Sequence, residues 1–428
     1  MDWPLGIAVL IALMLVGLPI TFALTLVGTV GVMTIIGPEP ALSLLAQTFF
    51  DNSRDYSLSV LPLFLMMGNF VVQSGIAEDL YKAAHAWLRH VRGGLAIATV
   101  LACGGFASVC GSSLATAATM SKIALPSMRR FGYPDGLATA SIAAGGTLGI
   151  LIPPSVLLVF YGIMTQQDIG KLFLAGILPG LLGVLGYVLA VVFSVRMGRN
   201  EIPKEDRLPL RDRLLALRGV IGALVLFAFV MGGIYLGVFT TTESAGMGAA
   251  GAFLLTVLHR KLTWEMTLRT LFDTAKTTAM MFFILFGALV FSNYVNLSGM
   301  TRDLQTLLET FGTGPLTIIL LMLALYIVLG AVLESLSMIL LTVPIFYPVV
   351  EAAGLDLIWF GIFVVVATEI SYITPPVGMN AFVLRAVTGD VSLRTIFSGL
   401  IPFVAMDLVR IGLIIALPGI ALLIPSTM

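Results

Sequence analysis

Two proline pairs, each inside an apolar run, constrain this chain more than any other feature. The first pair is Pro153 and Pro154 in GTLGILIPPSVLLVFYG, and the second is Pro375 and Pro376 in EISYITPPVGMNAFVLRA. Proline lacks a backbone N–H and clashes with the preceding turn, so each pair should break a membrane-spanning helix. The freed carbonyls are tolerated in hydrocarbon only inside protein or beside a polar cavity, where transporters use them to hold ions or substrates. We therefore predict two broken helices at the functional centre.

Composition predicts an all-α polytopic membrane protein. Of 428 residues, 58% are hydrophobic and 11% are charged, and the mean hydropathy is +1.05. These values leave too few charges to cover a soluble globule.

The zero net charge argues against a nucleic-acid partner. Cys103 and Cys110 lie in an apolar run without metal-ligand spacing, so we predict buried thiols, and the N-terminal apolar run, which no Lys or Arg precedes, predicts a retained first helix.

The chain divides into two similar halves. LAQTFFDNSRDYSLSVLPLFLMMGNFVVQSGIAEDL in the first half resembles LRTLFDTAKTTAMMFFILFGALVFSNYVNLSGMTRDL in the second. The interval from Gly75 to Pro153 matches that from Gly299 to Pro375 to within two positions, which indicates an internal duplication. The predicted units are repeat 1 at 1–197, a cytoplasmic linker at 198–214 and repeat 2 at 215–428. Within them, scaffold helices occupy about 1–92 and 215–312, and a hairpin with a broken helix occupies about 93–197 and 313–428.

The distribution of Lys and Arg predicts that the two repeats have opposite orientations. If the Arg-rich linker is cytoplasmic, nearly all other basic residues fall on the same side provided that 94–128 and 314–351 are re-entrant hairpins entering from opposite sides. Only Arg54, Lys171 and Arg302 then fall outside. The repeats are therefore predicted to be inverted, with both chain termini on the outer side of the membrane.

Small and hydroxyl residues mark the predicted hairpin tips. The first tip contains GSSLATAAT and the second contains LESLSMILLT, and Ser112 and Glu334 each lie 41 positions before their proline pair. Such a tip allows a tight turn and supplies oxygen ligands for a hard cation such as sodium. Each tip should face the break that follows it. The alternative is that these small residues only allow close helix packing.

Intramembrane charged residues are functional candidates because they are costly there. Glu334 at the second tip could serve a cation or proton, or could cap its helix, and both interpretations remain open. Glu369 precedes the second break. Asp407 and Arg410 stand three residues apart and are expected to pair. Asn380 supplies an amide that could contact ion or substrate, while His85, His90 and His259 receive no catalytic role.

These motifs resemble those of the large membrane subunit of tripartite ATP-independent periplasmic (TRAP) transporters, within the ion transporter superfamily. The resemblance rests on GSSLATAAT, on FGYPDGLATASIAAGGTLGILIPPSV, on TTTESAG at 241–247 and on SYITPPVGMNAFV, and it covers essentially the whole chain. It implies sodium-coupled import of an organic acid by an elevator motion in the bacterial inner membrane. It also implies a soluble periplasmic binding protein and a small four-helix membrane subunit, here expected as a separate chain, together with surrounding lipid.

The resemblance also assigns site residues. It places sodium at two sets of residues, Ser112, Ser113, Gly149 and Pro153 in one half and Ser335, Thr374, Pro375 and Gly378 in the other. Substrate contacts are expected from the tips and the second break, at Gly111, Thr116, Glu334, Ser337 and Asn380. No other cofactor is expected.

Two other functions compete with this interpretation. A stand-alone sodium/organic-anion symporter of the same superfamily would use the same residues without a binding protein. A membrane-embedded enzyme could use Glu334 and Glu369 for acid–base chemistry, but the sequence offers no nucleophile or metal set beside them. The absence of a Walker loop indicates that the chain does not itself use ATP. We therefore expect a transporter and no enzymatic activity.

Overall fold

A computed structural model describes residues 1–197, 205–310, 314–330 and 333–428, and within these ranges every regular element is a helix. The first half contains α1 (Trp3–Leu15), α2 (Ile20–Ile36), α3 (Pro38–Ser53), α4 (Val60–Ser74), α5 (Ile76–Leu88), α6 (Gly94–Cys110), α7 (Ser113–Arg130), α8 (Asp135–Thr147), α9 (Val156–Thr165) and α10 (Ile169–Met197). The second half contains α11 (Leu210–Tyr235), α12 (Thr241–Leu258), α13 (Trp264–Leu297), α14 (Met300–Thr310), α15 (Pro315–Gly330), α16 (Ser335–Ala352), α17 (Leu357–Ile373), α18 (Met379–Thr388), α19 (Leu393–Ala416) and α20 (Gly419–Leu422).

The helices are those of a multi-pass membrane protein. Six segments of the described chain are long and apolar enough to span a bilayer, namely Tyr56–Ser74, Ile169–Met197, Leu210–Tyr235, Trp264–Leu297, Ser335–Ala352 and Leu393–Ala416. Their outward surfaces are apolar as well. On α10, Leu181, Leu185, Leu189 and Phe193 recur every four residues and are each about half exposed. A stripe of this kind on one helix face suits contact with lipid tails and not with water.

Both halves present the same order of elements. In the first half, the paired helices α6 and α7 precede α8, the Pro153 break and α9; in the second, α15 and α16 precede α17, the Pro375 break and α18. The start of the predicted linker at 198–204 and the predicted boundary at 312–313 lie outside the described residues. Helix α11 begins at Leu210, immediately after Pro209, so residues 210–214 of the predicted linker are helical. Pro209 at the N-cap explains why the helix begins at Leu210, because proline disfavours helical structure on its N-terminal side.

Two pairs of helices, each with one helix from either half, pack most closely together. Helix α2 packs against α13, and α4 packs against α12. Glycines allow the first pair to approach: a Cβ at Gly28 would lie 2.8 Å from the Phe291 backbone nitrogen, and one at Gly287 would lie 2.8 Å from the Thr21 carbonyl oxygen. Small residues at such contacts let membrane helices approach to backbone distance.

Contacts between helix ends define one face of the molecule that is rich in basic residues. The imidazole of His259, just after α12, lies 3.0 Å from the carbonyl of Ser74 at the end of α4. The indole N–H of Trp87 donates to the carbonyl of Arg213 at 3.1 Å, and that guanidinium stacks on the Trp87 ring. This face, called the basic face below, also carries Lys82, Arg89, Arg92, Arg129, Arg260 and Lys261.

Contacts near the C-terminal ends of α11 and α13 define the other face. The Trp3 indole donates to the Asp303 carboxylate at 2.8 Å, and the Tyr294 hydroxyl donates to the Asp2 carbonyl at 3.0 Å. The Tyr235 hydroxyl lies 3.3 Å from the hydroxyl of Thr427. Both described termini therefore lie on the face opposite the basic face.

The hairpin of α6 and α7 has both of its ends at the basic face. The backbone N–H of Leu95, at the start of α6, donates to the hydroxyl of Tyr133, just beyond the end of α7, at 3.2 Å. Arg129 at the end of α7 bonds Asp135 and also Asp390, which follows α18. These hydrogen bonds from Arg129 hold the pKa of Asp390 below its ordinary value. The tip at Gly111 and Ser112 consequently lies at the far end of both helices, inside the helical bundle.

Candidate functional site

The tip of the first hairpin lies against the first break. Gly111 adopts φ +67°, a left-handed conformation that suits glycine, and Ser112 is extended and caps α7 by accepting from the Ala115 N–H at 3.3 Å. A Cβ at Gly149 would lie 2.9 Å from the Ser112 carbonyl oxygen, and one at Gly111 would lie 2.7 Å from the Pro154 carbonyl oxygen. The prediction that this tip faces its own break is therefore confirmed.

The second hairpin repeats this geometry with a different residue at the cap. Glu334 is extended and occupies the N-cap of α16, where a carboxylate oxygen accepts from the Ser337 N–H at 3.5 Å. At the end of α15, Gly330 packs so closely that a Cβ would overlap the side chain of Ser371, which precedes the Pro375 break. Glu334 and Ser112 thus hold equivalent positions. Helix capping, one of the two interpretations left open for Glu334, is observed, and the cation or proton role stays a prediction.

A cavity of about 320 Å³ lies where the two tips meet the scaffold. The tip of the first hairpin contributes Gly111, Ser112 and Ser113 to its lining, and the tip of the second contributes Glu334. Ile150 and Tyr372, each close to a break, line it as well. A concave site with a few converging polar groups is the usual form of a small-molecule site.

One wall of the cavity was not predicted from sequence. It consists of one face of α4 and one face of α13, including Gly68, Asn69, Thr277, Met280 and Met281. Asn69 donates its amide to the Thr274 hydroxyl at 2.9 Å, which fixes the side chain across the two helices. An amide inside an apolar helix was the available signal, because such groups in membrane helices face partners or cavities.

The other predicted residues lie behind the cavity wall, where they bond to protein. The Thr116 hydroxyl donates to the Ser112 carbonyl at 2.7 Å. Asn380 is fully buried and donates to the Ser113 hydroxyl and to the Ala143 carbonyl, each at 2.8 Å. The Asn380 side chain therefore joins α18 to the first tip and to α8, and it does not line the cavity.

The remaining predicted residues surround the two breaks. Gly149 and Pro153 are buried beside the first tip, whereas Thr374 is partly exposed and Pro375 is exposed. Gly378 adopts φ +59° and begins α18. Ser337 supplies the N–H that Glu334 accepts. Ser335 is 2% exposed, and its hydroxyl has no hydrogen-bond partner among the described residues.

The prolines leave specific carbonyls without helical partners. Because Pro153 and Pro375 have no N–H, the carbonyls of Gly149 and Ser371, four residues earlier, cannot form their usual helical bonds. The Ile150 carbonyl in the first break accepts instead from the Ser155 hydroxyl. Carbonyl and hydroxyl oxygens without a sulfur or imidazole ligand match the preference of hard cations. The described residues contain no cluster of three or more His, Cys, Asp or Glu side chains that could hold a transition metal.

A buried ionic network links the helices that precede the two breaks. Thr147, at the end of α8, lies 2.9 Å from the Tyr187 hydroxyl, which donates to Asp407 at 2.8 Å. Arg410 pairs with Asp407 at 2.8 Å, as predicted, and also with Glu369 of α17. The three charged side chains are at most 2% exposed. Glu369 was predicted as a functional candidate by its charge alone, and the structure places it in this network and outside the cavity lining.

The cysteines are outside this network and the breaks. Cys103 and Cys110 are both free and buried, which confirms the prediction of thiols without a disulfide. The carbonyl of Cys110 lies against Gly68 of α4, since a Cβ at Gly68 would be 2.5 Å from that oxygen. Gly68 therefore marks a close contact between the scaffold and the first hairpin.

Comparison with known proteins identifies the family. Residues 7–420 match the family model of the DctM component of tripartite ATP-independent periplasmic transporters. The chain is a TRAP transporter large permease. Proteins of this family are transporters and not enzymes, so the expected absence of enzymatic function agrees with the match.

Individual relatives match nearly the whole of this TRAP permease. The C4-dicarboxylate TRAP transporter large permease DctM of Pseudomonas aeruginosa is 37% identical over 93% of each chain. The sialic acid permease SiaM of Vibrio cholerae is 31% identical over 97% of this chain and 96% of its own. The isethionate permease DctMQ of Oleidesulfovibrio alaskensis is 31% identical over 95% of this chain but only 64% of its own.

Among solved structures, the TRAP permease shares its fold with the YdaH transporter of Alcanivorax borkumensis. The two structures align with a TM-score of 0.63 over 89% of each chain, at 15% sequence identity. An alignment at this identity supports the shared architecture of helices and not a shared substrate.

Proposed function

We propose that this TRAP permease imports an organic acid into the bacterial cytoplasm by sodium-coupled secondary transport. The observation that carries the proposal is the cavity in which both hairpin tips meet helices α4 and α13 of the scaffold. Relatives named for C4-dicarboxylates and for sialic acid support an acid as substrate. Hydroxyl, amide and backbone groups around the cavity suit the orientation of a small polar molecule.

Two oxygen-rich sites would hold the coupling ions. Ser112, Ser113, Gly149 and Pro153 would form one, and Ser335, Thr374, Pro375 and Gly378 the other. The contact of Gly149 with the Ser112 carbonyl favours the first position, and the buried hydroxyl of Ser335, which has no hydrogen-bond partner among the described residues, favours the second. A bound sodium ion would supply positive charge beside the cavity. The contribution of the protein is to hold each tip against its break.

Reciprocal contacts support an inverted arrangement of the two repeats. By the duplication, α2 corresponds to α12 and α4 to α13, so the α2–α13 and α4–α12 contacts are equivalent. Arg129 at the base of the first hairpin contacts Asp390 beyond the second broken helix. A contact between the same kinds of element joins the Tyr161 hydroxyl of the first broken helix to the carbonyl of Leu357, which begins the helix after the second hairpin, at 2.5 Å. A pseudo-two-fold axis would generate these pairs.

An elevator motion would carry the substrate between the two sides of the membrane. The walls of the cavity belong to different units, because α4 and α13 are scaffold helices whereas the tips belong to the hairpins. Sliding the hairpins and broken helices together along this boundary would move the tips with their cargo while the scaffold stays in place. The basic face would be cytoplasmic, as the excess of Lys and Arg favours.

The permease would work with two partners. A soluble binding protein would deliver the substrate from the periplasm, and a small membrane subunit would complete the permease. The DctMQ relative, of which this chain covers 64%, has additional length that leaves room for a fused second component.

The decisive experiment is uptake into liposomes under an inward sodium gradient. The purified permease would be reconstituted alone, with its small subunit, and with both subunits plus the binding protein. Uptake that requires all components and the gradient supports the proposal. Uptake by the permease alone would favour a stand-alone sodium/organic-anion symporter, and uptake without sodium would contradict the coupling.

Variants of the two ion sites provide a sharper test. We expect Ser112→Ala and Thr374→Ala each to raise the sodium concentration needed for half-maximal uptake at least about tenfold, taking the loss of an oxygen ligand as comparable to the loss of a hydrogen bond to a charged group, about 1.5–3 kcal/mol. By linkage, the substrate affinity at fixed sodium should fall with them. Ser426→Ala, at an exposed serine near the C-terminus, is the control. Unchanged sodium dependence in both site variants would exclude these residues as ligands.

A further inference from the structure

The cavity between the hairpin tips has a charge distribution that narrows the class of substrate. Among its described lining residues, Glu334 is the only Asp, Glu, Lys, Arg or His side chain. A substrate with negative groups at both ends would bring one of them toward this carboxylate, with no basic side chain in the lining to balance it. Like charges placed together in an interface are strongly unfavourable.

Among the described residues, the carboxylate of Glu334 accepts one weak hydrogen bond. The bond that it accepts from the Ser337 N–H is 3.5 Å long, well beyond the usual 2.9–3.0 Å for such bonds. The side chain is exposed, and it lines the cavity. An ionised carboxylate can accept about four hydrogen bonds, so a cationic group in the cavity would find a strong partner here.

The first hairpin favours a negatively charged group, in contrast to Glu334 on the second hairpin. Ser113, Leu114 and Ala115 form the first turn of α7, and all three line the cavity. The Ala115 N–H is capped by Ser112, whereas the first N–H groups of a helix have no partner within the helix. These groups and the helix dipole favour a negative ligand. At the equivalent position of α16, the protein supplies its own carboxylate in Glu334.

We propose that the cavity binds a zwitterionic organic acid, a molecule that carries a carboxylate and an ammonium or amidinium group. The carboxylate lies at the N-terminus of α7 beside Ser112, and the cationic group pairs with Glu334. This assignment rests on the proposed function, because it takes the cavity as the substrate site, and it narrows the acid to one that also bears a positive charge.

Compounds of matched length test the proposal directly. The permease with its small subunit, in lipid nanodiscs and saturating sodium, would be titrated with 4-aminobutyrate, succinate and butyrate, and with the six-carbon series 6-aminohexanoate, adipate and hexanoate. Each series varies only the group at one end. The shift in thermal unfolding temperature gives the apparent affinity. We expect the amino acid to bind most tightly in at least one series.

The variant Glu334→Gln should abolish this preference. Glutamine keeps the size of the side chain and its capping oxygen but removes the charge, so the affinity for the amino acid should fall about tenfold or more, as for a lost charge-assisted hydrogen bond. The affinities for butyrate and hexanoate, which carry no charge at the second end, should remain unchanged. Glu351→Gln, at an exposed carboxylate near the other end of α16, should behave as the parent protein.

The proposal would be overturned by a dicarboxylate that binds as tightly as the amino acid in both series, by no response to either amino acid, or by an unchanged preference in Glu334→Gln. A fall in sodium affinity in Glu334→Gln with the same ranking of compounds would assign the carboxylate to an ion and would also overturn it. Sodium-driven uptake is scored separately, so a permease that is selective for dicarboxylates but sodium-coupled refutes this inference and leaves the proposed function intact.

Discussion

Arg410 illustrates how single residues hold the interior together. Its guanidinium lies between Glu369 of α17 and Asp407 of its own helix, and both carboxylates are buried. Room for it comes from Gly183 on α10, where a Cβ would overlap the Arg410 guanidinium. The partners of Arg410 therefore come from three helices that meet near both breaks.

We expect Arg410→Met to destabilise the permease by about 3–5 kcal/mol, because the variant leaves two buried carboxylates without a cation. Thermal unfolding in detergent, followed by fluorescence-detected size exclusion, would measure the change. Arg394→Met, at an exposed arginine of the same helix, is the matched control and should change stability by no more than about 0.5 kcal/mol. Equal melting temperatures for the two variants would show that the network does not stabilise the fold.

At the scale of elements, the close contact of α4 with the first hairpin is the feature most sensitive to side-chain volume. Gly68 allows the Cys110 carbonyl to approach, and an added Cβ would lie 2.5 Å from that oxygen. Over-packing of this kind typically costs about 1–3 kcal/mol. The cost applies only while the hairpin tip is docked at this position on the scaffold.

We accordingly expect Gly68→Ala to lower the rate of uptake about tenfold while the protein still folds, since about 1–3 kcal/mol would disfavour the docked state. The comparison is Gly246→Ala on the neighbouring α12, where the nearest atom to an added Cβ is a Leu63 methyl carbon at 3.8 Å. Initial rates of uptake and melting temperatures of both variants decide the matter. An equal loss of rate in both would mean that the hairpin contact has no special role.

At the scale of the whole molecule, the two faces define a topology that labelling can check. Both native cysteines are buried, so a new cysteine at an exposed position would be the accessible thiol. In spheroplasts, a membrane-impermeant maleimide should modify Met428→Cys, whereas Asp206→Cys, in the segment that precedes α11, should react only after permeabilisation. Modification of both positions from the same side would contradict the inverted arrangement.

The positions of the helix breaks and hairpin tips could be predicted from the sequence because they depend on residues with strong local effects. Proline pairs break helices wherever they occur, and Ser112 and Glu334 cap helices through their own side chains. The tips and their spacing to the breaks follow from such residues. The family resemblance added the candidate sodium-binding and substrate-binding residues.

The contacts between distant helices could not be predicted in the same way. Membrane helices are apolar on most of their surface, so periodicity does not show which face of α4 or α13 turns toward a cavity. Asn69 and Thr277 were missed for this reason. Glu369 pairs with Arg410 across 41 residues, and Asn380 with Ser113 across 267, and nothing local marks either partner.

The unequal burial of the two breaks has a consequence for timing. Pro153 and Pro154 are enclosed by protein, whereas Pro375 and Pro376 are exposed. An ion beside the second break would exchange with the surroundings while the first hairpin stays shut; one beside the first break would be released only after the tip at Ser112 moves away. Ion exchange at the first site would then depend on movement of the first hairpin, whereas ion exchange at the second site would not.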